Sequence, residues 1–118
     1  MSDKPVFWCG TTRDDVKSFP ADSRRLLGFQ LRRVQQGLDP NDWKPISDVG
    51  PGVREIRIRT GVEHRVFYVA RFPEAVYVLH AFEKRSRKTP EHELRLARSR
   101  FRDLLWRKRV QDTAKAKT

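Results

Sequence analysis

The sequence predicts one domain that combines helices with an antiparallel run of strands. Three observations predict it. Between residues 53 and 83, three stretches of alternating apolar residues follow one another with connections too short for helical crossovers, so they pair antiparallel. Residues 22–36 and 89–109 repeat apolar side chains at helical spacing. The 118-residue length suits one domain, and its 30 Leu, Ile, Val and Phe residues suffice for one core.

Val6-Phe7-Trp8-Cys9 is apolar, ends at Gly10 and reads as a first strand. Thr12, three residues ahead of Asp15, marks a helix start, and Pro20 keeps that helix short. A second helix is predicted from Asp22 to Gln36, with Leu27, Leu31, Val34 and Leu38 as its apolar stripe and Gly37 as its stop. Residues 39–52 hold three prolines and two glycines, which excludes a regular element, and Trp43 and Ile46 are expected to pin the segment to the core. Val53 to Arg59 puts Ile56 and Ile58 on one face and Glu55, Arg57 and Arg59 on the other. His64 to Phe72 sets Arg65, Phe67, Val69 and Arg71 against Val66, Tyr68 and Ala70. Ala75 to Glu83 is the third strand, with His80, Phe82 and Lys84 sharing a face. In the last helix Thr89 caps, Pro90 takes the first position, and Glu91 and Glu93 suit the positive end. Leu94, Ala97, Phe101, Leu104 and Leu105 form its buried stripe, ahead of Arg107, Lys108 and Arg109. The domain is expected to span 1–109 and to leave 110–118, with Lys115 and Lys117, as a disordered basic tail.

Several classes drop out. The longest apolar run, Val66 to Ala70, falls far below the roughly 18 residues of a membrane helix. Met-Ser-Asp-Lys-Pro carries no apolar signal segment. Cys9 has no disulfide partner and reads as a small buried residue, so a cytoplasmic location is expected. His64, His80 and His92 lack metal-ligand spacing, and Gly50-Pro51-Gly52 lacks the ending of a phosphate loop; no metal and no small-molecule cofactor is expected.

The charge is uneven. Residues 1–52 carry 8 basic and 7 acidic groups, whereas residues 53–118 carry 18 and 8. Such a skew favours a polyanionic partner, nucleic acid before acidic protein. Arg57, Arg65, His80 and Lys84, drawn from three adjacent strands, would form a cationic floor with Phe82 beside it for a base to stack on. Arg59, Arg85, Arg87 and Lys88 extend it as RNA-binding candidates. The structural alternative is a set of charges that only flank a sheet edge. A floor of this kind suits RNA cleavage by attack of the substrate's own 2′-hydroxyl. Arg57 and Arg65 can stabilise the charged phosphorane, because guanidinium stays charged and forks onto phosphate oxygens. The proton transfers fall to Glu55, His80 or Lys84.

Three motifs in order carry a family resemblance: Glu55-Ile56-Arg57, Arg65-Val66-Phe67-Tyr68, and the run from His80 through Phe82, Lys84 and Lys88-Thr89-Pro90. Over roughly residues 5–107 the chain resembles the RelE/ParE superfamily of toxins, in its phage-derived HigB-like branch. The resemblance implies an α+β fold, RelE-like, with N-terminal helices and a C-terminal helix packed on a curved, mainly antiparallel sheet. It also implies ribosome-dependent cleavage of mRNA and silencing by a cognate helix-turn-helix antitoxin, whose acidic segment would dock on the floor and the last helix. Arg57, Arg65, Lys84 and His80 occupy the matching basic positions. The chain departs from the pattern in reading Glu83-Lys84-Arg85 where a basic pair is usual, and the proton acceptor stays open among Glu55, His80 and Lys84. The competing readings are a non-enzymatic ParE-like toxin acting on DNA gyrase, and a basic RNA-binding module without toxicity.

Overall fold

A computed structural model describes residues 3–116. The order is β1 (Val6–Trp8), α1 (Thr12–Lys17), α2 (Ala21–Gln35), β2 (Trp43–Pro45), β3 (Val53–Arg59), β4 (Glu63–Val69), β5 (Val76–Glu83) and α3 (Glu91–Ala116). The strands form one open five-stranded sheet in the order β1-β5-β4-β3-β2. It is an α+β fold with a mixed sheet: β2–β3, β3–β4 and β4–β5 are antiparallel, and β1 lies parallel to β5.

The two-residue periodicity of β3 and β4 sends side chains into two separate cores. Ile56, Ile58, Val66, Tyr68, Val76 and Val78 meet Leu27, Leu31 and Val34 of α2. On the other face Val53, Phe67, Val69 and Leu79 meet Leu94, Ala97, Phe101 and Leu104 of α3. Each large apolar side chain so enclosed contributes about 1.5–3 kcal/mol, and the central strands are therefore covered on both sides. Cys9 packs into the α3-side core, where burial pushes its thiol up.

Four expectations need correction. Residues 39–52 do contain a regular element, because Trp43–Pro45 pairs with Ile56, Glu55 and Arg54. Pro45 is tolerated there because β2 is an edge strand, which can lack one donor. Trp43 is held by the Arg54 guanidinium, 4.1 Å above its ring, and Ile46 packs against the α3-side core as expected. At α1 the residue before the helix proper is Thr11, whose hydroxyl donates to Asp15 at 2.9 Å, while Thr12 is buried within the helix. Leu38 is half exposed and lies beyond the end of α2. Finally, α3 continues through residues 110–116 instead of giving way at 109, since no glycine or proline stops it; Lys117 lies outside the described residues.

The end of α2 does use Gly37. Its N–H donates to Val34 O at 3.0 Å, and Leu38 N–H reaches back to Arg33 O at 2.9 Å, a paired closure that needs the left-handed backbone of Gly37 (φ +86°). Space around Gly37 is open, so the penalty of a side chain is conformational. Gly37→Ala should lower stability by about 1–2 kcal/mol, seen as an earlier urea midpoint with an unchanged slope. A wild-type midpoint would show that the cap is dispensable.

The turn before β5 is tied to α3. Lys108 Nζ and the Tyr77 hydroxyl (2.6 Å) both donate to Glu74, and together they hold its carboxyl down from 4.5 to about 2. A carboxylate held low in the fold stabilises it above the unfolded value and loses that contribution as protons bind. Stability should therefore fall as pH drops from 4.5 to about 2, and Glu74→Gln should flatten that part of a pH-dependent denaturation series. An unchanged slope in the variant would refute the role.

Candidate functional site

A cleft of about 550 Å³ opens on the α3 side of the sheet. Its floor comes from β3 and β4, one wall from residues 44–48, and the other from residues 84–89 ahead of α3. The antiparallel register sets Arg57 opposite Arg65, Glu55 opposite Phe67 and Arg59 opposite Glu63. Arg57, Arg59, Arg65, Glu55 and Lys84 all line the cleft, so residues from β3, β4 and the loop after β5 converge.

The floor is an ion-pair ladder. Glu55 is buried, with Oε1 at 3.0 Å from Arg65 Nε and 3.6 Å from Arg57 Nε. Glu63 pairs with Arg65 and with Arg59, and Asp42 with Arg57 and Arg59 at 3.8 and 3.4 Å. Three guanidinium groups thus meet three carboxylates, and the floor is electrically balanced. Burial lowers the Arg65 guanidinium from its usual range, with Glu55 and then Glu63 opposing that shift. Donors remain, since Arg57 Nε and Arg65 Nη1 are buried and make no hydrogen bond. The surplus charge sits on the rim: Lys44, Lys84, Arg87 and Lys88 face a single rim carboxylate, Asp48.

Lys84 follows the end of β5, where its N–H donates to Glu63 O at 2.7 Å. Its ammonium donates to Arg87 O at 2.8 Å, folding the 84–88 loop over the cleft mouth.

His80 and Phe82 are not part of this cleft. They line a separate pocket of about 430 Å³ with Thr11, Asp15 and His64. The reason is position along the strand: His80 stands opposite Phe67, beyond the Arg65–Phe82 pair, and there α3 crosses the sheet. His80 Nε2 lies 3.1 Å from Glu93 Oε1, and Nδ1 lies 3.2 Å from Arg100 Nη1. Burial pulls this imidazole below its usual range, against the pull of Glu93. A neutral ring then donates from Nε2 to Glu93 and accepts at Nδ1 from Arg100, which makes it a clamp between β5 and α3. Phe82 is buried edge-on against Phe67 and offers no face to a base in the cleft. Arg85 points away and pairs with Glu83 at 2.9 Å. Arg59, Arg87 and Lys88 line the cleft. His92 is largely exposed, and His64 is buried against the Phe19 ring. Among the described residues no three His, Cys, Asp or Glu side chains gather to hold a metal ion, and no helix is long and apolar enough to cross a membrane.

Sequence reasoning missed Lys44, Asp42 and Glu63. The first two lie in the segment read as irregular. Glu63 had a signal, because Glu55-x-Arg57 and Glu63-x-Arg65 repeat one spacing, which in a strand places acid and base on the same face.

Residues 14–102 match the family model described as Phage derived protein Gp49-like (DUF891). The chain belongs to this family. The match includes β3, β4, β5 and the first half of α3, and with them the whole lining of the cleft. No curated protein matches this Gp49-like chain.

The ladder sets a stability hierarchy within the Gp49-like cleft. Removing one partner of a buried ion pair strands the other charge. Glu55→Ala should therefore cost about 3 kcal/mol or more, whereas Lys84→Ala on the rim should stay within about 0.5 kcal/mol of wild type. Guanidinium denaturation of both variants checks this, and equal midpoints would contradict the ladder's structural role.

Proposed function

We propose that this Gp49-like protein is a toxin of a toxin–antitoxin pair that cleaves mRNA on the ribosome by 2′-hydroxyl attack, without a metal. The observation that carries the reading is the convergence of Arg57, Arg65 and Lys84 on one cleft whose rim bears the uncompensated positive charge. The division of labour follows from the charges. The rim cations draw in a phosphate backbone. Arg57 and Arg65 line the cleft, held in place by Glu55, and set their positive charge against the phosphorane, a preorganised arrangement that costs no reorientation during reaction. The attacking 2′-hydroxyl gives up its proton to solvent water, and the Lys84 ammonium at the mouth protonates the leaving 5′-oxygen. Glu55 is committed to two guanidinium groups and serves as their positioning residue.

Such an activity calls for a silencing partner. An acidic segment of a helix-turn-helix antitoxin, laid across Lys44, Lys84, Arg87 and Lys88, would block the cleft by charge complementarity.

Induced expression should arrest growth, with new 5′ ends in transcripts that depend on translating ribosomes. Lys84→Ala and Arg65→Lys, the second retaining charge but losing the fork, should each relieve the arrest while the protein stays folded by circular dichroism. Loss of about 3 kcal/mol of transition-state stabilisation corresponds to cleavage slowed roughly a hundredfold in a ribosome assay. Intact transcripts during arrest would overturn the nuclease reading, and DNA damage with both variants still toxic would favour gyrase as the target.

A further inference from the structure

On the opposite side of the sheet lies a second pocket, of about 300 Å³, which shares no lining residue with the cleft. The alternation of β3 makes the separation unavoidable, because Arg54 faces this pocket while Glu55 and Arg57 face the other way. The pocket sits between the end of α2 and the sheet. Val34, Leu38 and Ala70 give it an apolar wall. At its base is Tyr68, a fully buried residue whose hydroxyl has the Arg54 guanidinium as a polar neighbour but no acceptor for its own proton. Burial raises the Tyr68 phenol from its usual range, so the group is an O–H donor at neutral pH.

Three cations line the pocket together with Tyr68, and they are not equivalent. Lys4 is spent on the carbonyls of Ala70 and Phe72, at 2.6 and 2.9 Å. Arg54 is paired with Asp39 at 2.7 Å. Arg71 has no carboxylate partner among the described residues; its guanidinium rests 4.7 Å from the Phe72 ring centroid and lines the pocket. A buried hydroxyl with no acceptor for its proton is costly, and a guanidinium without a carboxylate partner lines the same pocket; an anion with several oxygens would satisfy both.

We propose that this pocket binds a small organic oxyanion, a carboxylate or a phosphate monoester, with its charged oxygens on the Tyr68 hydroxyl and Arg71 and its apolar body against Val34, Leu38 and Ala70. The volume is at the lower end for small-molecule sites and suits a single ring with one anionic group. This site is independent of the reading given to the cleft.

The test is titration of the intact protein with benzoate, phenyl phosphate and inorganic phosphate, followed by amide chemical shifts. Saturable shifts at Leu38, Ala70 and Arg71 with either aromatic anion support the site, and which of the two binds more tightly identifies the headgroup. Inorganic phosphate, lacking the ring, should bind at least tenfold more weakly. Tyr68→Phe removes only the donor, and Arg71→Gln only the charge; each should weaken binding tenfold or more, while Lys84→Ala should leave it unchanged. Three results would overturn the proposal: no saturation up to 20 mM (about 2 kcal/mol in affinity), shifts confined to the cleft, or binding indifferent to Tyr68→Phe. In the first of these the pocket holds water only.

Discussion

The Glu55 carboxylate is the group on which the candidate site depends. It stands in the middle of β3, buried, with Arg65 on the neighbouring strand and Arg57 two residues along its own. Two guanidinium groups on adjacent strands repel each other, and opposing like charges destabilise a sheet. The carboxylate turns that repulsion into a fixed geometry, with Asp42 and Glu63 closing the ladder at its outer end. The arginines are therefore immobilised before any ligand arrives, at the cost of their net charge.

This arrangement separates two tasks that a bare cationic floor would merge. Under the proposed function, attraction at a distance belongs to the rim, where Lys44, Arg87 and Lys88 are exposed and Lys84 is half-buried. Under the same proposal, short-range recognition belongs to the floor, where Glu55 holds Arg57 and Arg65 in fixed directions. The rim loop is anchored at both ends. Lys84 is bonded to Glu63 and Arg87, and the first turn of α3 is bonded through Glu93 to His80, with Arg100 continuing the chain to Thr11. His80 thus shapes the cleft from behind without entering it.

The antiparallel core of the fold was legible because its signals are local. Alternation in Val53–Arg59 and in His64–Phe72 gave both faces, though the second strand stops at Val69, and the helical stripe Leu94–Ala97–Phe101–Leu104 gave the inner side of α3. The parallel placement of β1 beside β5 was not legible, since nothing near Val6 specifies a partner so distant in the chain. In the site, face was readable and position along the strand was not. Arg57, Arg65 and Lys84 meet as the alternation implied, while His80, on the same face, is taken up by α3, whose crossing point depends on tertiary packing. The wall at Lys44 was hidden by prolines that signal irregularity but that an edge strand accommodates.

The parallel pairing of β1 carries a consequence for how the molecule comes into being. Val6 lies 70 residues ahead of Val76, its neighbour in the sheet, and Trp8 is as far ahead of Val78. Contacts that span so much sequence form slowly and late. The β1 edge of the sheet is therefore completed only after β5 is available to receive it, whereas the cleft, which β1 does not line, depends on closer-lying strands.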